Sequence, residues 1–488
     1  MIGACPTLTF LLRRKICDLS DRLLVLVSRT MRRRLQSVGF LFLLGLCLWL
    51  LPTRSDALLM DATAYNDMGV VNQSKGDLDG AIENFRAALK LQPDFPEAMF
   101  NLGVALQAKG DLDGAIAQYS AVLTLTPDDP DVYGNLGNAQ KAKGNLDAAI
   151  EAYRTALRLD PNHPSIHYNL AIALKAKGDL DGAIAEYREA IRVQPDDVSA
   201  RNNLGILLQG HGRIDEAIEQ YREAVRVQPD HVNAHYSLGT AFHTKGDLVA
   251  AIAEYRTVIR LQPAHVGAHN NLGIALQATG DLNGAIAEYQ TVISLKPGHV
   301  KAYYNLGIAR QAARDLDGAI AAFRDAIRLQ PDYVNAHQGL ADALQEKGDL
   351  NGAIAEYRTV LRLQPTHASA LLNLGAALQA NGDLDGAIAM YRHLLSLQPE
   401  RARARYNLGV ALQAKGDLDG AIEQYRVLVN LRQDYVLGFY ALGEALAQKG
   451  LHKEAAAALR DYLAKEKDTP DTHQRVERAR AHLKELGS

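Results

Sequence analysis

The chain has 488 residues, with 53 Lys/Arg against 56 Asp/Glu, a formal charge of −3, 48% hydrophobic and 22% charged residues, and three cysteines. That balance excludes a disordered tail, a collagen-like fibre and a disulfide-stapled scaffold. Without a net basic charge, general nucleic-acid binding is excluded too.

The first segment is built differently from the rest. Residues 1–57 hold nine Lys/Arg against three Asp/Glu, all three cysteines (Cys5, Cys17, Cys47) and the only tryptophan, Trp49. From Met31 the order is Arg32-Arg33-Arg34, then fourteen residues from Val38 to Leu51, then Pro52 and Ser55-Asp56-Ala57. A basic start, an apolar centre and small residues two apart make a secretory signal. The arginines resist crossing the membrane, so the chain beyond the apolar run is exported, to the periplasm or the cell exterior. A spanning helix needs ~20 apolar residues. A cleaved signal is therefore expected first, and an uncleaved anchor over residues 35–51, with the rest outside the cytoplasm, is the rival. Leu46 before Cys47 is too large for a lipoprotein signal. Cys17, Asp18 and Asp21 interrupt any leader in residues 1–30, which favours Met31 as the true start. Residues 58–61 are a linker.

From residue 62 one frame takes over. Asn101-Leu102-Gly103 precedes Gly110-Asp111-Leu112-Asp113-Gly114-Ala115-Ile116, Tyr119 and Pro127; adding 34 gives Gly137, Ala149, Tyr153 and Pro161. The frame holds through twelve units: 62–95, 96–129, 130–163, 164–197, 198–231, 232–265, 266–299, 300–333, 334–367, 368–401, 402–435 and 436–469. A fixed period in this range predicts an all-α solenoid. Each unit reads as two helices. The first closes at a glycine such as Gly110, which accepts the left-handed conformation. Asp111 then caps the second, whose apolar stripe is Ile116, Tyr119 and Leu123. Pro127 ends it.

A small residue recurs in the first helix (Gly69, Gly103, Gly137, Ala171 and on to Gly443) and an alanine in the second (Ala81 to Ala455), so the helices approach closely. The ring four residues after that alanine fills space between neighbouring units, and a lone unit cannot bury both helices, so stability comes from stacking. Glycine before the alanine, as at Gly80, Gly114 and Gly182, costs ~1 kcal/mol of helix propensity and predicts fraying there. After the last unit, residues 470–488 are a cap. Residues 471–486 form one more helix, with Val476, Ala479, Leu483 and Leu486 as its apolar stripe.

This pattern resembles the tetratricopeptide repeat (TPR) family. The resemblance implies a right-handed superhelix of twelve helix-turn-helix units plus the capping helix. It also implies a non-enzymatic scaffold whose concave face, lined by the first helices, holds a protein or an extended peptide. The family often has tryptophan early in the first helix, where this chain has Tyr65, Tyr133, His167, His235, His269, Tyr303 or His337.

Two rows mark that face. Two residues before the small residue stands asparagine in eight units: Asn101, Asn135, Asn169, Asn203, Asn271, Asn305, Asn373 and Asn407. Asp67, Ser237, Gly339 and Ala441 interrupt it. An amide both donates and accepts, so the row suits the main chain of an extended peptide. It is similar to the asparagine ladder of O-linked N-acetylglucosamine transferases. The same residues read equally as support for a neighbouring helix. One residue earlier stand Phe100, Tyr168, Tyr236, Tyr304 and Tyr406, rigid contact area with a polar tip.

Other constellations point away from chemistry. The cochaperone carboxylate clamp has Lys301 but Asn305 in place of its arginine. The pairs His163/His167, His231/His235 and His265/His269 have helical ligand spacing, yet the first sits at a turn and the second at a packing position. Glu186 and Glu189 fall on a second helix and are read as a solvated face. There is no phosphate loop and no nucleophile elbow. No catalytic residue, metal or cofactor is expected, and the membrane is met only through the N-terminal segment. Residues 101–116 and 407–422 are identical, which fits a uniform binding surface or recent duplication. The reading is an exported scaffold or adaptor. The alternatives are a membrane-anchored assembly factor and the substrate-recognition subunit of a separate glycosyltransferase or other enzyme.

Overall fold

The computed structural model describes residues 61–486; the export signal or anchor lies outside the described residues. Those residues form twenty-five helices, packed in consecutive pairs within two compact units, described residues up to Leu159 and from Asp160 onward.

The first unit holds α1 (Ala62–Ser74), α2 (Leu78–Leu91), α3 (Pro96–Lys109), α4 (Leu112–Leu125), α5 (Pro130–Lys143) and α6 (Leu146–Leu159). The second holds α7 (Pro164–Lys177), α8 (Leu180–Val193), α9 (Val198–Gly210), α10 (Ile214–Val227), α11 (Val232–Lys245), α12 (Leu248–Leu261), α13 (Val266–Ala278), α14 (Leu282–Leu295), α15 (Val300–Ala312), α16 (Leu316–Leu329), α17 (Val334–Lys347), α18 (Leu350–Leu363), α19 (Ala368–Ala380), α20 (Leu384–Leu397), α21 (Ala402–Lys415), α22 (Leu418–Leu431), α23 (Val436–Gln448), α24 (His452–Lys465) and α25 (His473–Glu485). Odd-numbered helices up to α23 are the first helices of the pairs and even-numbered ones the second.

The turn between paired helices is fixed by two local devices. Gly110 sits at φ 90° and closes α3. Asp111 then accepts from the Gly114 backbone N–H at 2.9 Å, which satisfies an otherwise unpaired donor of α4. In the eighth pair Arg314 takes the glycine's place at φ 66°, the one non-glycine residue at positive φ among the described residues. Gly114 has its own reason: a Cβ there would stand 2.5 Å from the capping Asp111 carboxylate. The helix start at Leu112 is capped, and the cap works against the fraying expected from glycine's low propensity.

Each core is set by a ring and a small residue in one pair. Tyr119 is fully buried, and a Cβ on Gly103 would meet its Cε1 at 2.7 Å. The ring therefore lies within its own pair. It also meets the next one: Gly339 of α17 lies against the Phe323 ring of α16. Burial pushes the Tyr119 hydroxyl up, and Tyr391 up to about 12.

Within each unit adjacent first helices come close, as α1 to α3, α9 to α11 and α15 to α17, while adjacent second helices do not approach comparably. First helices thus line the inner, concave wall of each unit. α25 continues the 34-residue frame as a thirteenth first helix. Its Val476 and Ala479 are buried like Leu442 and Ala445 one repeat earlier, and Leu483 and Leu486 pack at the margin. No helix of the described residues is long and apolar enough to cross a membrane.

Candidate functional site: the inner wall of the first helices

The inner wall is built from positions that recur on each first helix. All eight asparagines of the row are half-buried. Several spend one amide hydrogen on the preceding pair. Asn101 donates to Asn66 Oδ1 at 3.0 Å, Asn203 to the Tyr168 hydroxyl at 2.9 Å and Asn271 to the Tyr236 hydroxyl at 3.1 Å. Asn305 donates to Asn270 Oδ1 at 3.4 Å and Asn373 to Asp342 Oδ1 at 3.1 Å. Asn407 hydrogen-bonds the Tyr391 hydroxyl. Asn135 instead donates to the Asp131 carbonyl of its own helix, at 2.9 Å; Asn169 is half-buried in the same register. An amide has two N–H groups and an oxygen, so one such bond does not exhaust it. The row both ties repeats together and presents polar groups inward.

The aromatic row leans on the core. Tyr168 packs on Tyr187 with ring centres 5.7 Å apart, Tyr236 on Tyr255 at 6.1 Å, Tyr304 on Phe323 at 5.9 Å and Tyr406 on Tyr425 at 6.1 Å. Phe100 does the same on Tyr119 at 5.8 Å. These rings are half-buried, each packed against a core ring and leaving part of its surface accessible.

The sequence reading of the glutamates needs correction. Glu186 does not lie on a solvated face: His167 Nδ1 meets its Oε2 at 2.6 Å, and His167 Nε2 meets the Pro161 carbonyl at 3.0 Å. The same double contact recurs at His235 with Glu254 and Pro229, His269 with Glu288 and Pro263, and His337 with Glu356 and Pro331. Glu189 is exposed, paired with Arg192 at 2.7 Å. Burial works against a charge on His167, but the Glu186 hydrogen bond, the Pro161 carbonyl and the charges of Glu186 and Glu189 outweigh it and raise its pKa. For His235 the Glu254 hydrogen bond is the leading cause of the rise. Each of these rings thus packs between helices. Of the first histidines of the spaced pairs, His231 and His265 cap helices, accepting from Ala234 and Ala268 at 3.0 Å, while His163 precedes its helix without a side-chain cap.

One set of metal-type ligands gathers among the described residues: Asp468, His473 and Glu477, all exposed, with ligand atoms within 4.8 Å of one another. Arg480 bonds both Asp468 and Glu477, at 3.2 and 2.6 Å, and His473 bonds Asp468 at 2.9 Å, so the carboxylates already have cationic partners.

Sequence profiles described as Tetratricopeptide repeat match residues 66–130, 202–266, 270–334 and 376–436, and ones described as TPR repeat match 137–178, 173–212 and 341–382. No curated protein matches the chain. Among solved structures, yeast Tom70 is similar at 18% identity, covering 80% of this chain and 96% of its own, with a TM-score of 0.35. MamA from Desulfovibrio magneticus RS-1 is similar at 25% identity over 35% of this chain and 96% of its own, with a TM-score of 0.34. YrrB, described as a TPR protein with an unusual peptide-binding site, is similar at 24% identity over 38% of this chain and 96% of its own, with a TM-score of 0.36.

Proposed function

The chain belongs to the tetratricopeptide repeat family, and on that premise we propose that it is a non-enzymatic scaffold that holds an extended peptide or a protein segment along its first helices. One observation carries the reading: half-buried asparagines in eight of twelve repeats, and half-buried tyrosines beside them at Tyr168, Tyr236, Tyr304 and Tyr406, keep one register on the wall where the first helices converge. Polar groups at a fixed repeat suit a ligand that is itself a repeating main chain. The Asn203 and Asn271 amides, fixed by the Tyr168 and Tyr236 hydroxyls, are already oriented before a ligand arrives, which lowers the entropic cost of binding.

The test is affinity capture with residues 58–488 as bait, followed by binding measurements on a variant with Asn203, Asn271 and Asn305 changed to alanine. Partner affinity should fall at least tenfold while the helical circular dichroism spectrum stays. Unchanged affinity in the folded variant would sink the reading. A glycosyltransferase as the dominant captured protein would favour the recognition-subunit alternative.

We also propose export. The basic-then-apolar order of residues 32–57 supports it, with a cleaved signal preferred over an anchor at residues 35–51. The mature chain from Leu58 would lack Trp49, the only tryptophan. Emission excited at 295 nm from the purified exported protein would rule out cleavage.

A further inference from the structure

The asparagine row does not stop at the last full repeat. Stepping by 34 from Asn373 and Asn407 gives Ala441 and then Arg475, on α25. Because α25 lies in the register of a first helix, Arg475 occupies the asparagine position and Arg478 stands one turn further along the same helix face. Two pairs earlier on that wall, Arg403 stands one turn before Tyr406 and Asn407 on α21. The row is neutral through the middle of the second unit and becomes cationic at its C-terminal end.

These arginines differ from their neighbours. Arg432, Arg426 and Arg480 all have carboxylate partners, with Arg432 2.7 Å from Asp434. Arg403, Arg475 and Arg478 form no ion pair among the described residues. The Arg475 Nε is buried, and the side chain faces the Tyr462 hydroxyl. Around Tyr440, Arg475 and Arg478 stand with one carboxylate, Glu444 of α23, which also bonds His482 at 2.7 Å. Arg475 acts electrostatically on Tyr406 and Tyr440, Arg478 on Tyr440, and Arg403 on Tyr435. The cations thus stand near Tyr406 of the aromatic row and near Tyr440, one repeat further on, whose rings are fixed against Tyr425 at 6.1 Å and Tyr462 at 5.2 Å.

We propose that this end of the wall, Arg475 and Arg478 with Arg403, seats the carboxylates of an acidic segment in the bound peptide. The inference rests on the peptide-binding reading and adds its chemistry and polarity: the acidic part of the ligand lies at α25 and the neutral part runs back along the asparagines. Guanidinium groups suit this because their planar donors match a carboxylate bidentately, and aromatic walls keep water from screening the pair.

The experiment uses the full chain and two fluorescein-labelled decapeptides, alternating Ser-Glu and alternating Ser-Gln, read by anisotropy at low salt. The Ser-Glu peptide should bind at least tenfold tighter than Ser-Gln. That preference should vanish in Arg475→Gln/Arg478→Gln, survive in Arg475→Lys/Arg478→Lys, weaken with salt and be untouched by Arg480→Gln. Arg403→Gln, at an exposed position, should weaken it without disturbing the cap. No binding of Ser-Glu, no preference over Ser-Gln, or a preference indifferent to Arg475, Arg478 and Arg403 would each overturn the proposal. Peptides that bind equally well and lose affinity only in Asn373→Ala/Asn407→Ala would overturn it while leaving the peptide groove standing.

Discussion

His167 reaches two acceptors at once, the Glu186 carboxylate through Nδ1 at 2.6 Å and the Pro161 carbonyl through Nε2 at 3.0 Å. A neutral imidazole has only one N–H, so both contacts are hydrogen bonds only when the ring is doubly protonated. Two other repeats make the point independently. There Arg201 bonds the Pro195 carbonyl at 3.0 Å and Gln220 at 3.3 Å, and Arg405 bonds the Pro399 carbonyl at 2.6 Å and Gln424 at 3.0 Å. A cation at this position joins the turn before the pair to both helices of the pair.

Stability therefore depends on pH in a definite direction. The pKa values of His167 and His235 are raised on folding. Their contribution is complete below the ordinary histidine value and is lost as pH rises through the higher folded value. Thermal unfolding followed by circular dichroism should show a midpoint that falls as pH rises above the ordinary histidine value of about 6.5. Replacing His167 with Arg and Glu186 with Gln, as the neighbouring repeat has them, should flatten its share of that dependence.

Gly103 should not tolerate a branched side chain. Its Cβ would already lie 2.7 Å from the buried Tyr119 ring. Gly103→Val should destabilise the first unit by about 1–3 kcal/mol, the usual cost of overpacking a filled core. Denaturant titration measures it. A change below 0.5 kcal/mol, roughly the range of a surface substitution, would contradict the ring-on-glycine account.

Arg314→Gly should stabilise. Arg314 holds φ 66°, a region that costs an L-residue about 1–2 kcal/mol and glycine little. The variant forfeits an ion pair with Glu346 from an exposed side chain, which is worth less than about 1 kcal/mol. The net gain should be roughly 0.5 kcal/mol. A lowered unfolding midpoint would refute it.

A row of ion pairs thirty residues apart links successive pairs, among them Lys245–Asp215 at 2.6 Å and Lys415–Asp385 at 2.5 Å, with Lys109–Asp79 and Lys449–Asp419 in the same place. Their carboxylates are exposed, so each should couple by no more than about 0.5 kcal/mol in a double-mutant cycle of Lys245 and Asp215. One molar salt should abolish that coupling.

How much of this could be read from the chain differs by residue. Gly103 and Tyr119 were legible as a repeating small residue and ring. The capping Asp111 was legible because a helix start is written within four residues. The His167–Glu186 bond was not, since its partners lie on different helices, nineteen residues apart. A signal was present: histidine at this position comes with glutamate nineteen later (His235 with Glu254, His337 with Glu356), arginine with glutamine (Arg201, Gln220) and an aromatic with alanine (Tyr133, Ala152). The place of Arg475 at the end of the asparagine row was not legible, because nothing local shows that α25 keeps the repeat register.

The sequence alone determined the repeating helix pair, its turns and caps, and which residue types had to be small or large. Those features depend on neighbours within one turn or on a period that translation by 34 reveals. Only the tertiary structure decided that Glu186 is bound rather than solvated, that the asparagine amides bridge repeats, and that an arginine closes their row. Side-chain partnerships across helices depend on the angle and height at which the helices pack, and that geometry is settled by the fit of the buried rings together.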